Sequence, residues 1–274
     1  MAGKTASFLD VNEKEIHRAI HKKWLSCHSY SYFNFIKTLA QEDFEINIKS
    51  MSIIENQMCL MLHYDVWQDA GGFNSLEESI RAIGKNLILN QEILEVMEML
   101  TDQVNYLETD IDLPYEQPLK VHSRYTREQV LAAFGFSTFE KKSNIREGIA
   151  ISKDKNTELL FITLNKSEKD FSPTTLYEDF AISEKLFHWQ SQNSVKPESV
   201  KGISYINHKK QGKRILLFVR ERGEDEFGNT MGSVFLGEAN ITEHYGSKPM
   251  SIRWELNEPM PPYLWKDSAK MAVG

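Results

Sequence analysis

Phe187-His188-Trp189-Gln190-Ser191-Gln192 places two large aromatic rings, an imidazole and two carboxamides within one short block. Aromatic faces stack on bases, and a carboxamide can donate to and accept from a base edge at once. If the block is a strand, alternation sends Phe187, Trp189 and Ser191 to one face and His188, Gln190 and Gln192 to the other, giving an apolar side and a polar, reading side. The alternative is that Phe187 and Trp189 anchor the core. A second group, Asn207-His208-Lys209-Lys210 with Lys213-Arg214, is the densest basic stretch and is expected across a turn between strands. Cations there would neutralise phosphates and release counterions, or would form only a solvated hairpin tip. A third group follows an apolar run: Asn165-Lys166-Ser167, then Ser172-Pro173-Thr174-Thr175. Lys166, Ser167 and Thr174 are candidate phosphate contacts. Ser172 before Pro173 also reads as the N-cap of a helix over LYEDFAIS.

The candidate nucleic-acid-binding residues are therefore Lys166, Ser167, Thr174, Phe187, His188, Trp189, Gln190, Gln192, Asn207, His208, Lys209, Lys210 and Arg214. No constellation points to catalysis. Asp170, Glu178, Asp179 and Glu184 are close in sequence but read as helix-surface charges, and no strand carries a Glu-x-Lys pair beside an earlier Asp. His188, His208 and His244 lack the i,i+4 spacing of helical zinc sites, and Cys27-His28 has no thiol-protease context. No metal site, cofactor or catalytic residue is assigned.

The elements that must hold these groups fall into two textures. In the first half, Asp10 or Asn12 can cap a helix whose residues Ile16, Ile20 and Trp24 recur every four positions. SYFNFIKTLAQ continues as a second helix, and Gly71-Gly72 marks a break. Ser75-x-x-Glu78 has capping-box spacing before SLEESIRAIGKNLIL. NQEILEVMEMLTDQVNYL places Ile93, Val96, Met97, Leu100 and Val104 on one side. Pro114 and Pro118 exclude helix from DIDLPYEQPL. In the second half, Thr126-x-x-Gln129 opens a short helix ended by Gly135, followed by the β-type runs 148–152, 158–164, 214–221, 233–239 and 250–256. Runs of short strands without alternating long helices predict an α+β chain. A helical unit, 1–115, precedes a mixed or antiparallel curved sheet or small barrel with short helices, 120–264. The fold-level analogy for the second unit is a pseudouridine-synthase-and-archaeosine-transglycosylase-like (PUA-like) barrel.

Charge divides with texture. The chain has a net charge of −7. Residues 1–118 hold 9 Lys+Arg against 19 Asp+Glu, and the remainder hold 23 against 20. Neither half is basic enough to announce nucleic acid by charge alone. Two cysteines cannot build a disulfide framework, no apolar run approaches a membrane span, and residues 1–10 carry no signal-peptide stretch, so a cytoplasmic protein is expected.

The second half resembles the uncharacterised C-terminal domain that follows the motor in many bacterial DEAD/DEAH-type superfamily-two helicases and accompanies some HNH-type nucleases. The resemblance is carried by Arg124-Tyr125-Thr126-Arg127, Ser137-Thr138-Phe139-Glu140, Arg146-Glu147-Gly148 and the blocks 164–194, 205–221 and 246–264. Residues 1–119 resemble the helical spacer of those helicases more loosely. No motor box is present; Gly3-Lys4-Thr5 lacks the strand and glycine loop of a P-loop. The resemblance implies an accessory module beside a helicase or nuclease of DNA defence or repair; the candidate residues above make it a binder of DNA or RNA without catalytic activity, and the PUA-like analogy adds the reading of a modified base. A protein-interaction domain docking a helicase motor is the alternative, and a metal-dependent nuclease the third reading.

Overall fold

A computed structural model describes residues 11–69, 71–165 and 179–265. The chain divides into two compact units. The first comprises the residues up to Asn105, Glu116–Pro118 and Thr126–Ser143; the second comprises Tyr106–Tyr115, Leu119–Tyr125 and the residues from Asn144 onward.

The first unit is helical: α1 Val11–Lys22, α2 Tyr30–Gln41, α3 Ile53–Trp67, α4 Leu76–Ile83, α5 Leu87–Gln103 and α6 Arg127–Ala133. Ile16, Ile20 and Trp24 are all buried, as their spacing predicts. Two capping boxes start helices. Ser52 and Glu55 exchange bonds at α3, and Thr126 and Gln129 do so at α6. At α4 the expected box forms only by half. Ser75 Oγ accepts from the Glu78 N–H, whereas the Glu78 carboxylate accepts from the Asn74 N–H.

The helix expected through SLEESIRAIGKNLIL is two helices. Gly84 ends α4, and Asn86 caps α5 by accepting from Ile88 and Leu89. Gly84 lies so close to another segment that a Cβ there would sit 2.1 Å from the Asp43 carbonyl oxygen. No helix among the described residues is long and apolar enough to cross a membrane.

The second unit is an open mixed sheet in the order β2-β3-β6-β7-β8-β5-β4, with β1 (Arg124–Tyr125) pairing β7. The strands are β2 Ile149–Ser152, β3 Thr157–Asn165, β4 Phe180–Ala181, β5 Leu186–Gln190, β6 Arg214–Arg222, β7 Ser233–Tyr245 and β8 Ser251–Leu256. The chain is thus α+β, with a sheet rather than a closed barrel. Among the described strands only β3 and β6 pair in parallel.

β7 extends past the expected run at 233–239. Its first half pairs β6, and from Ala239 it pairs β8. Register shifts at Leu217/Phe218 and Ile241/Glu243 bend it, as bulges do. The first shift coincides with Gly237, whose φ of 82° favours glycine. One short helix, α7 Val200–Ile206, closes over the core of Trp189, Tyr205, Trp254, Leu217 and their neighbours. The helix expected over LYEDFAIS is strand β4 in its described part. Antiparallel pairing of Phe180 with His188 and of Ala181 with Phe187 satisfies its backbone there.

Candidate nucleic-acid interface

β5 carries the aromatic block, and its alternation is as expected. Phe187 and Trp189 point into the core, with Trp189 only 6% exposed and edge-on to Tyr205 at 5.5 Å. Ser191 is fully buried and locks the end of the strand, its Oγ accepting from the Met250 N–H at 2.9 Å. The apolar face of this block is therefore the hydrophobic core, and Phe187 and Trp189 present no ring to a ligand. Burying two such side chains is worth about 3–6 kcal/mol, which explains the aromatic density without any binding role.

His188 and Gln190 lie on the opposite face. His188 is 3% exposed because other rings flank it. It stacks on Phe180 with centroids 4.7 Å apart and planes 22° apart, and Tyr245 lies 6.0 Å away. The Arg253 guanidinium sits 5.7 Å from the Tyr245 ring centroid, within cation–π reach. The strand register builds this row: Phe180 pairs His188, His188 pairs Arg253, and Gln190 pairs Ser251, itself opposite Tyr245. Arg253 also forms an ion pair with Glu243 on β7. The Gln190 backbone N–H donates to the buried Asp179 carboxylate at 2.9 Å, so Asp179 is not the helix-surface charge its spacing implied. Gln192, just past the strand, is exposed and accepts from Lys201 Nζ at 3.1 Å.

The basic stretch does not join two strands. Asn207 caps the C-terminus of α7, and the turn after it leads into β6. His208 is buried, with Nδ1 against the Lys213 carbonyl at 3.1 Å and Nε2 accepting from the Ile241 N–H at 3.2 Å. Both nitrogens are engaged as in the neutral Nδ1–H form, and burial holds the pKa below the ordinary histidine value. His208 is therefore a structural residue.

The four cations divide equally. Lys213 is drawn inward to the buried Glu158, Ser204 Oγ and the Tyr205 ring. Arg214 makes two bonds to Glu238, at 2.8 and 3.0 Å. Lys209 and Lys210 remain exposed and form no ion pair among the described residues. Lys166, Ser167 and Thr174 lie outside the described residues. Among the described residues no group of three or more His, Cys, Asp or Glu side chains is placed to hold a metal ion.

Phe180, Tyr245 and Arg253 belong to the outward row but escaped sequence reasoning. One signal was available: MSIRWEL alternates, which sets Arg253 on the polar side of β8. Its neighbours Glu243 and Tyr245 lie on the preceding strand, but His188 on β5 is far away in sequence, so the whole row appears only with the register.

The second unit is thus an α+β sheet module with a buried aromatic core and a mixed aromatic and polar outer row. Residues 119–268, more than half of the chain, match the family described as a domain of unknown function (DUF3427), and the chain belongs to that family. No curated protein matches. Similar solved structures include the following two. The crystal structure of Arabidopsis thaliana SUVH6 in complex with SAM, form 2, is 11% identical with a TM-score of 0.37, covering 97% of this chain and 43% of that one. Form 1 is 10% identical with a TM-score of 0.33, covering 90% and 40%. The chain spans about two-fifths of the length of these structures.

Proposed function

We propose that this chain is a non-catalytic nucleic-acid-binding accessory module that works beside a helicase or nuclease in DNA defence or repair. The observation that carries the reading is the outward row Phe180–His188–Tyr245 with Arg253 over the last ring. Aromatic and cationic groups in one row on a sheet face are the groups that bases and phosphates require. Lys209 and Lys210 add exposed charge that no ion pair among the described residues takes up. The association with a motor or nuclease rests on the sequence blocks at 164–194, 205–221 and 246–264, and reading of modified bases is one arm of the test.

The test is an equilibrium titration of the full chain with unmodified DNA, base-modified DNA and RNA at two salt concentrations. Binding at low salt that weakens log-linearly as salt rises is expected. Absence of binding to all three at low salt overturns the reading.

One observation favours a second reading, a docking module. Leu87 and Ile88 at the start of α5 are 70% and 76% exposed beside a depression of about 410 Å³ lined by Asn12, Ile16, Ile83 and Asn86. Adjacent exposed aliphatic side chains at a concave site are a feature of interaction surfaces. Loss of co-purification with a helicase motor on Leu87→Ser and Ile88→Ser would support it.

A further inference from the structure

Resting on the nucleic-acid reading above, we infer that the outer face of the β4–β5–β8–β7 sheet takes single-stranded rather than duplex nucleic acid, with a base stacked on Tyr245 and a phosphate held by Arg253 and Lys248. Tyr245 is 45% exposed, with the His188 ring 6.0 Å away and tilted by 34° and the Arg253 guanidinium 5.7 Å from its centroid, so a base packed on the exposed part of the ring joins an aromatic and cationic row.

The geometry of the face decides against a groove. The row crosses four strands. With neighbouring strands about 4.8 Å apart, it is roughly 14 Å wide before side chains are added. The major groove of B-form DNA is about 12 Å wide and admits a helix or a two-stranded ribbon, not a four-stranded face. In a duplex each base is also covered above and below by its neighbours, so ring faces such as Tyr245 have nothing to stack on. An unpaired base offers its π-face to any aromatic ring.

The charges fit at one end of the face. Arg253 is engaged with Glu243, but both side chains are about half exposed, at 42% and 53%. A pair that exposed is held only weakly, so a phosphate can displace the carboxylate. Lys248, exposed just before β8, lies near the Ser251–Gln190 end and forms no ion pair among the described residues. Glu255 occupies the other end, opposite Leu186. A polyanion is therefore favoured across the Gln190, Ser251 and Tyr245 end.

The experiment is a fluorescence-anisotropy titration of the full chain. The ligands are a labelled mixed-sequence DNA strand of about 16 nucleotides, the upper end of single-strand site sizes, and the same strand annealed to its complement. Tyr245→Leu and Tyr245→Phe are measured in parallel, each with a thermal melt. The single strand is expected to bind at least ~10-fold more tightly than the duplex. Tyr245→Leu should weaken single-strand binding by about 5- to 150-fold, the range for loss of one stacked base, with an unchanged melt, and Tyr245→Phe should retain it. Should Tyr245→Leu melt early, Arg253→Gln replaces it, with a loss of ~5-fold or more expected. Duplex binding as tight as or tighter than the single strand overturns this inference and leaves the nucleic-acid reading standing. Binding of neither at low salt overturns both. Unchanged single-strand affinity in a normally melting Tyr245→Leu protein removes the site from this face.

Discussion

The Gln129 side chain donates from Nε2 to Asp65 Oδ2 at 2.8 Å while its Oε1 accepts from the Thr126 N–H at 2.9 Å and from the Cys27 thiol at 3.2 Å. One amide thus closes the capping box of α6 and ties that helix to a fully buried carboxylate on α3. Asp65 Oδ2 also accepts from Trp24 Nε1 at 3.0 Å and the Tyr32 hydroxyl at 2.9 Å. Oδ1 has no partner among the described residues. Three donors on one oxygen do not offset burial, and the Asp65 carboxyl is pushed up to about 6, with Lys23 acting in the opposite direction.

The sign of the resulting pH dependence follows from that raised pKa. The folded state holds the Asp65 proton more tightly than the unfolded chain, whose aspartates titrate near ~3.9. Stability from this group is full below about pH 4 and is lost as pH rises to about 6, amounting to roughly 2–3 kcal/mol. Asp65→Asn removes the titration. The stability difference between wild type and Asp65→Asn, measured by urea unfolding from pH 4 to 7, should change across that window and stay flat above it. A difference independent of pH would show that Asp65 is not held protonated in the folded state.

Trp189→Ala should act on folding rather than on recognition. The ring is buried against Tyr205 and Trp254, and deleting a core aromatic costs about 3–5 kcal/mol. A large drop in melting temperature is expected. A normal melt would place the ring outside the core.

Arg214 and the two exposed lysines should separate in two assays. Arg214→Ala removes the cation from Glu238, which is nearly buried, and leaves it, among the described residues, only a long bond from Asn257 Nδ2 at 3.4 Å, so stability should fall by about 1–3 kcal/mol. Lys209→Ala with Lys210→Ala should leave the melt unchanged and, if these lysines meet phosphate, reduce the salt slope of binding by about 0.7–0.9 per lost contact. Equal effects of both changes on stability would contradict the division.

Gly84→Ala should destabilise the helical unit by about 1–3 kcal/mol, since its Cβ would collide with the backbone carbonyl of Asp43 and the chain must shift to admit it. An unchanged thermal melt would mean that this approach is not held in solution.

The parts of this fold readable from sequence are those with a one-sided environment. α2, α5, β5 and β8 bury one face, so their periodicity shows. α3 escaped because Met58 to Trp67 are buried almost without a break, which erases any 3.6-residue pattern. The need for glycine at 84 was hidden because the group that crowds it, the Asp43 carbonyl, lies on another segment. Likewise the partner that holds α6, Asp65, is distant in sequence from Gln129. At the candidate site, the alternation of 187–192 was legible, but which face is the core depends on α7 and on Trp254. The outward row depends on register across β4, β5, β8 and β7, and no local pattern carries that.

The measurement that tests the central claim most directly is charge reversal at Arg253, half-exposed on the outer row. Arg253→Glu and wild type are titrated with single-stranded DNA at two salt concentrations, beside thermal melts. If this face is the interface, the variant melts near wild type and loses at least ~10-fold in affinity, about 1.4 kcal/mol, with the loss larger at low salt. Wild-type affinity in a normally folded Arg253→Glu protein would contradict the account.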